Sequence, residues 1–261
     1  MSGQSIAEVR KKLEQSDCLS DKERLLLRSD SRKGVRQLLE IWDRRQLRKQ
    51  ALINRFHKMN HFESDLHQKG IGQIAGIDEA GRGPLAGPVI AASVILNPDV
   101  ILPGVNDSKQ LTAARRDRLF DQIITHALAY GIGQVSARDI DRINIYEAAR
   151  LAMTRAVEQM DLRPGFLLID AMKLSVPVPQ ISLIKGDARS NSIAAASILA
   201  KVTRDRLMNR LDKRYPEYGF AGNKGYGTQQ HLTALRTYGA CPEHRFSFAP
   251  VAAIAQAEDR R

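Results

Sequence analysis

The sequence predicts an α/β fold, and three observations carry that reading. Short apolar, β-rich runs stand at Ile74–Ile77, Val89–Leu96 and Phe166–Ile169. Segments with helical spacing separate and follow them. Phe166-Leu167-Leu168-Ile169 is apolar without alternation, the pattern of a strand covered on both faces, so helices should flank the sheet.

Composition narrows the class. A chain of 261 residues suits one large domain or two smaller ones. Hydrophobic residues make up 43% and aromatics 5%, as in a soluble globular protein. The net charge of +11 points to a polyanionic partner such as nucleic acid. No stretch has membrane-spanning length and the N-terminus lacks the apolar run of a signal peptide, so a cytoplasmic location is expected. Cys18 and Cys241 lack metal-ligand spacing and read as two reduced thiols.

Residues 1–72 differ from the rest. They hold 16 Lys and Arg against 10 Asp and Glu, a net of +6, and no β-rich run. Val35, Leu38, Leu39 and Trp42 form one apolar stripe, with Arg44, Arg45, Arg48 and Lys49 beyond it. Two or three helices are expected in a basic N-terminal extension, with a boundary at Gly70 and Gly72 and a second domain over 73–261.

The stretch from Ile74 to Leu96 organises that second domain. An apolar strand runs into Asp78 and Glu79, and a glycine-rich turn, Gly81-Arg82-Gly83-Pro84, follows. Acids are rarely buried without compensation, and a divalent cation is a natural one. The glycine spacing is also that of a dinucleotide loop, but such a loop must open a helix. Here Pro84 and Pro88 interrupt it and a strand follows. No Gly-Lys-Ser/Thr of a P-loop is present. For both acids to share a site, the strand must bulge or end between them, since strand neighbours face opposite ways.

Further along, Asp107 or Ser108 is placed to cap a helix whose apolar side runs from Leu111 to Ala127. A strand is expected over Tyr130–Ser136 and one helix over Ile140–Met160. Asp170 ends the buried strand, and alone reads equally as a turn aspartate. A strand over Ile181–Ile184 leads to Lys185-Gly186-Asp187 and a long helix from Ala188 to about Arg214. Asp187, read alone, is an N-cap favoured by the helix dipole. Gly222 to Thr228 reads as a mobile basic loop carrying one aromatic, Tyr226. His244 and Arg245 read as surface or core residues, and the last dozen residues as frayed and polar.

Asp78, Glu79, Asp170 and Asp187 thus fall at comparable places, at strand ends and a helix start. Four converging carboxylates repel one another and require cations. Two Mg²⁺ or Mn²⁺ ions about 4 Å apart suit phosphodiester cleavage. Neither a serine triad nor a Cys-His zinc set stands out.

The Asp-Glu-Ala-Gly-Arg-Gly segment, Asp107-Ser108-Lys109, Lys185-Gly186-Asp187 and Gly225-Tyr226-Gly227-Thr228 together resemble the signatures of bacterial ribonuclease HII, over about residues 70 to 250. The resemblance implies a mixed central sheet of ribonuclease H type flanked by helices, with a helical C-terminal part. It implies that Asp78, Glu79, Asp170 and Asp187 are the catalytic metal site. It implies that Gly81, Arg82 and Gly83 read a ribose 2′-hydroxyl through backbone groups, that Lys109 contacts phosphate, and that Tyr226 packs on the neighbouring deoxyribose. The implied substrates are RNA–DNA hybrids and DNA duplexes containing ribonucleotides, with Mn²⁺ or Mg²⁺ as cofactor and a monomer as the working state. Two other readings compete: a non-catalytic nucleic-acid-binding protein, which charge alone would satisfy, and a dinucleotide-dependent oxidoreductase.

Overall fold

The computed structural model describes residues 4–258. It divides into two compact units, 1–56 and 57–261, and the division falls near the end of one long helix.

The first unit is helical. Helices α1 (Ile6–Gln15), α2 (Asp21–Arg28) and most of α3 (Lys33–Met59) build it. Ser5 and Ser20 each open a helix with a capping box closed by Glu8 and Glu23, which satisfies two otherwise orphaned N–H groups per helix. Val9, Leu13, Leu27, Val35, Leu39 and Trp42 form its core. The expected stripe on α3 is therefore its buried face. Arg45 is not free on the basic face, because it donates to the carbonyls of Leu13, Glu14 and Ser16 at the end of α1.

The second unit opens with α4 (His61–Gln68), a fourth helix beyond the two or three expected. Five strands follow: β1 (Ile74–Ala80), β2 (Val89–Leu96), β3 (Ala127–Val135), β4 (Phe166–Asp170) and β5 (Gln180–Leu183). Their order is β3-β2-β1-β4-β5, so β1 is central. It runs antiparallel to β2 and parallel to β4, which makes the sheet mixed.

Helices cover both faces. Ala75 and Ile77 of β1 share a core with α7 (Ile145–Glu158), through Ala148, Ala152 and Met153. Gly76, of opposite parity, lies against α8 (Asn191–Arg214), where a Cβ would stand 2.0 Å from the Ser192 carbonyl carbon. Any side chain there would lift the helix off the strand.

Several elements differ from expectation for local reasons. The helix after Asp107 begins later, as α5 (Ala113–His126) capped by Thr112, while Asp107 caps a separate 3-10 turn over Ser108–Gln110. The single helix expected over 140–160 is two, α6 (Ala137–Ile143) and α7, broken at Asn144, whose φ of 67° no helix accommodates. Asp187 lies in a 3-10 turn, and Ser190 caps α8 instead. The segment expected to be mobile, 222–228, begins inside α9 (Phe220–Asn223), and α10 (Gln229–Tyr238) follows it. The tail forms α11 (Ala249–Glu258) with Val251 buried, while residues 259–261 of the stretch expected to fray lie outside the described residues. Cys18 is exposed and Cys241 buried. No described helix is long and apolar enough to cross a membrane.

Glu63 ties α4 to the sheet unit. Its Oε1 accepts hydrogen bonds from the Ser190 hydroxyl at 2.6 Å, the Ser192 hydroxyl at 2.7 Å and the Ser192 N–H at 3.0 Å, all at the start of α8. Leu66 packs with Ile74, Leu168 and Ile193. Removing residues 1–56 should therefore leave a cooperatively folding unit. Glu63→Ala should destabilise it by about 1–3 kcal/mol through the buried donors left unpaired. Urea melts of both variants check this, and an unchanged midpoint for Glu63→Ala would refute the role given to that carboxylate.

Candidate active site

The sheet itself opens the site. β1 and β4 run parallel and their last paired residues are Ile77 and Ile169. The next residue on each strand is an aspartate, Asp78 and Asp170. Beyond that point β1 stays with β2 and β4 with β5, pairing Asp78 with Ala92 and Asp170 with Leu183. A crevice at the carboxyl ends of parting parallel strands is a common place for a ligand site. The expected bulge between Asp78 and Glu79 is not there: pairing with β2 continues unbroken through Ala80, so both acids lie within the strand.

Asp78 follows Ile74 and Gly76 in parity and faces α8, 5% exposed. Its Oδ1 accepts the Glu79 N–H at 2.7 Å, and the Ser197 hydroxyl of α8 also bonds it. Asp170 accepts the Gly186 N–H at 2.7 Å, which brings the turn carrying Asp187 beside it. Ala171 and Lys185, on either side of this contact, have φ values of 49° and 55°. Such strain in non-glycine residues costs about 1–2 kcal/mol each.

Electrostatics join the four acids. Burial, then Glu79 and Asp170, push the Asp78 carboxyl well above its usual range. Burial raises Glu79, with Arg82 opposing and Asp170 adding. Burial raises Asp187, with Asp107 and Asp170 adding and Lys109 opposing. Partial burial works against the Lys109 charge, yet Asp107, Asp187, Asp78 and Asp170 together hold its ammonium above the ordinary range.

Beside the acids lies a cleft of about 320 Å³. Glu79, Gly81, Arg82, Gly83, Lys109 and Tyr226 all line it. Asp78, Asp170 and Asp187 are not among its lining residues. Gly81 has φ of 99°, and a Cβ there would lie 2.1 Å from Nε of Arg204, so only glycine suits the position. Arg245 donates to the carbonyls of Gly81 at 2.6 Å, Arg82 at 2.8 Å and Gly87 at 2.8 Å. Arg204 donates to those of Pro88 at 3.0 Å, Ala86 at 3.0 Å and Lys224 at 2.9 Å. A trans peptide points its C=O and following N–H in opposite directions. The N–H groups of Arg82 and Gly83 therefore face away from Arg245. The Tyr226 ring, on a half-exposed residue, comes within 3.5 Å of where a Gly83 Cβ would stand.

The donor set suits a hard divalent cation. Its ligand atoms are carboxylate oxygens, three of the acids are held above their usual range by burial and neighbouring charge, and Glu79 Oε2 is buried without a hydrogen-bond partner. Among the described residues no three His, Cys, Asp or Glu side chains are grouped so as to hold a metal ion as they stand.

Sequence reasoning gave Ser197 and the two arginines no part in the site, and read Asp107 only as a cap within the Asp-Ser-Lys motif. Asp107 does cap its turn, accepting the Lys109 N–H at 2.9 Å, but it also reaches Asp187. Its place in the Asp-Ser-Lys motif was the available signal. Arg204 lay inside a helical run and carried none.

The Ribonuclease HII family profile matches residues 75–251, and that of the Ribonuclease HII N-terminal domain matches residues 5–67. Ribonuclease HII of Geobacillus kaustophilus is 54% identical over 235 residues, 90% of each chain. The crystal structure of ribonuclease H2 from Pyrococcus horikoshii OT3 is similar with a TM-score of 0.63 and 28% identity, covering 72% of this chain and all of that one. Bst-RNase HIII, in complex with Mn²⁺, shares the fold with a TM-score of 0.56 and 19% identity, over 75% of this chain and 73% of its own. With a five-stranded mixed sheet, its flanking helices and a profile match over most of its length, the chain belongs to the ribonuclease HII family of metal-dependent endoribonucleases, which act on nucleic acid.

Proposed function

We propose that this chain hydrolyses the RNA strand of RNA–DNA hybrids and incises 5′ of single ribonucleotides in duplex DNA, leaving 5′-phosphate and 3′-hydroxyl ends. What supports the reading is the electrostatic coupling of Asp78, Glu79, Asp170 and Asp187 beside a cleft lined by the Gly81–Gly83 turn, Lys109 and Tyr226. Those four side chains would hold two divalent cations, Mg²⁺ or Mn²⁺. Bound there, such ions supply an activated water and neutralise the leaving oxygen.

The remaining parts read the substrate. With their carbonyls held from behind, the amides of Arg82 and Gly83 are free to bond a 2′-hydroxyl, a group DNA lacks. Gly81 and Gly83 let a sugar approach the chain closely. Tyr226 offers a flat face to the next sugar, and Lys109 a positive charge to a phosphate. Sequence divides the chain into an extension, 1–72, and a catalytic part, 73–261, and we keep catalysis within the latter, with α4 as its structural neighbour. A cytoplasmic monomer with no obligate protein partner completes the reading.

A duplex with one ribonucleotide, incubated with Mg²⁺, should be cut once, on its 5′ side. Equal cutting of an all-DNA duplex, or no cutting, refutes the proposal. Tyr226→Ala should lose about 1–3 kcal/mol of substrate interaction, roughly tenfold in rate at the single ribonucleotide. Tyr226→Phe should restore most of it, and an equally impaired Phe variant would assign the role to the hydroxyl.

Asp78→Asn should abolish cleavage yet stabilise the metal-free protein near neutral pH. A carboxyl raised in the native state binds its proton there more tightly than in the unfolded chain, where the value is 3.8. Its favourable contribution is complete below that value and is lost as pH rises through the native one. The stability gap between Asp78→Asn and wild type should therefore widen with rising pH and vanish below about pH 4. Thermal melts in chelator across that range test it, and a pH-independent gap would contradict the repulsion argument.

A further inference from the structure

Behind Tyr226 lies a buried pair of imidazoles that the chemistry above does not use. His231 of α10 and His244 are fully enclosed, and their Nε2 atoms stand 2.9 Å apart. Tyr218 and Phe220 pack around both rings. The partners of the other ring nitrogens determine where every proton sits. His231 Nδ1 is 2.9 Å from the Tyr226 carbonyl, which can only accept, so Nδ1 carries a hydrogen. His244 Nδ1 stands 3.0 Å from the Cys241 N and 3.3 Å from the Cys241 O; with His231 Nε2 bare, only a hydrogen on His244 Nε2 can join the two rings, so His244 Nδ1 accepts the Cys241 N–H. His244 Nε2–H then donates to the bare Nε2 of His231. Each ring is neutral and each is held in one tautomer. Burial lowers both imidazoles, and pushes His244 down to about 4, in keeping with this count.

The chain of bonds ends on the loop that offers the aromatic face. Tyr226 O accepts from His231 and from the Thr228 N–H at 2.8 Å, while the Tyr226 N–H donates to Asn223 O at 3.0 Å. The ring itself points out of the interior, on a residue 50% exposed. The backbone of Tyr226 is thus clamped from the inside while its side chain stays available in the cleft.

We propose that the Cys241 N–H, His244 and His231 form a fixed-tautomer relay that positions Tyr226 against Gly83, making the two histidines positioning residues for selectivity at an RNA–DNA junction. This rests on the reading that Tyr226 contacts the sugar beside the ribonucleotide.

Two substitutions at His231 separate the relay from simple packing. An asparagine amide reaches the place of Nδ1 and can still donate to Tyr226 O. A glutamine amide reaches the place of Nε2 and cannot. In the full chain, His231→Gln should speed amide hydrogen exchange at Tyr226 and Thr228. It should also lower the ratio of cleavage at a single ribonucleotide to cleavage of a uniform hybrid, roughly tenfold, as Tyr226→Ala does. His231→Asn should keep both close to wild type. In a Tyr226→Ala background, His231→Gln should lower the ratio no further, because coupled residues are non-additive. Additive losses, or equal behaviour of the Asn and Gln variants, overturn the relay. Unchanged exchange in His231→Gln overturns it whatever the cleavage data. If exchange rises but Tyr226→Ala keeps the wild-type ratio, the substrate reading of Tyr226 fails while its backbone clamp stands. Should His231→Gln not fold, His244→Leu removes the donor that sets the His231 tautomer, and is held to the same exchange and ratio criteria.

Discussion

Two guanidinium groups buried among backbone carbonyls hold the working face of this protein together. Arg204 and Arg245 are almost wholly enclosed, and the carbonyls they bond lie on the glycine-rich turn, its continuation to Pro88, and Lys224. Burial pushes them down to about 10 and about 9, still well above neutral pH, so both stay charged. A buried cation is costly unless its donors are satisfied. Here seven donor contacts to carbonyls meet that need. A turn rich in glycine would otherwise wander, because glycine restricts its own backbone least. The arginines remove that freedom from within and leave the outer side of the turn to the substrate.

The acids sit under the opposite constraint. Strands β1 and β4 separate just where each carries an aspartate, so hydrogen bonding between these two strands ends where charge begins. Carboxylates crowded in such a place weaken the metal-free fold, and the strained Ala171 and Lys185 add to the cost. Stability given up at a functional site has to be supplied elsewhere. The tight seat of α8 on Gly76 and the Glu63 cap at its first turn are two places where that happens.

Much of this was legible in the sequence. Apolar runs at 89–96 and 166–169 located β2 and the buried β4, because side chains covered on both faces leave an unbroken pattern. Asp78, Glu79 and Asp170 stood out because a carboxylate at the end of an apolar run is chemically conspicuous, whereas Asp187 read alone as a cap and was joined to them by the resemblance. Positions set by tertiary contact were hidden. A positive φ at Asn144 splits a helix whose hydrophobic spacing reads as continuous. The loop around Tyr226 looked mobile from its glycines, yet Leu85 N–H bonds Gly225 O at 2.8 Å and the histidine pair secures it from below. Arg204 looked like any charged residue of a helix, since nothing local announces that two of its partners are carbonyls more than a hundred residues away.

The two cysteines have a practical consequence. Burial pushes the Cys241 thiol up to about 11, so at neutral pH almost none of it is thiolate, and the interior around it screens what remains. Cys18 is exposed, in the unit formed by α1 to α3. A maleimide dye or spin label added to the unaltered protein should therefore attach at one place and spare the histidine relay. The natural chain comes ready for distance measurements between its basic helical unit and a labelled nucleic acid.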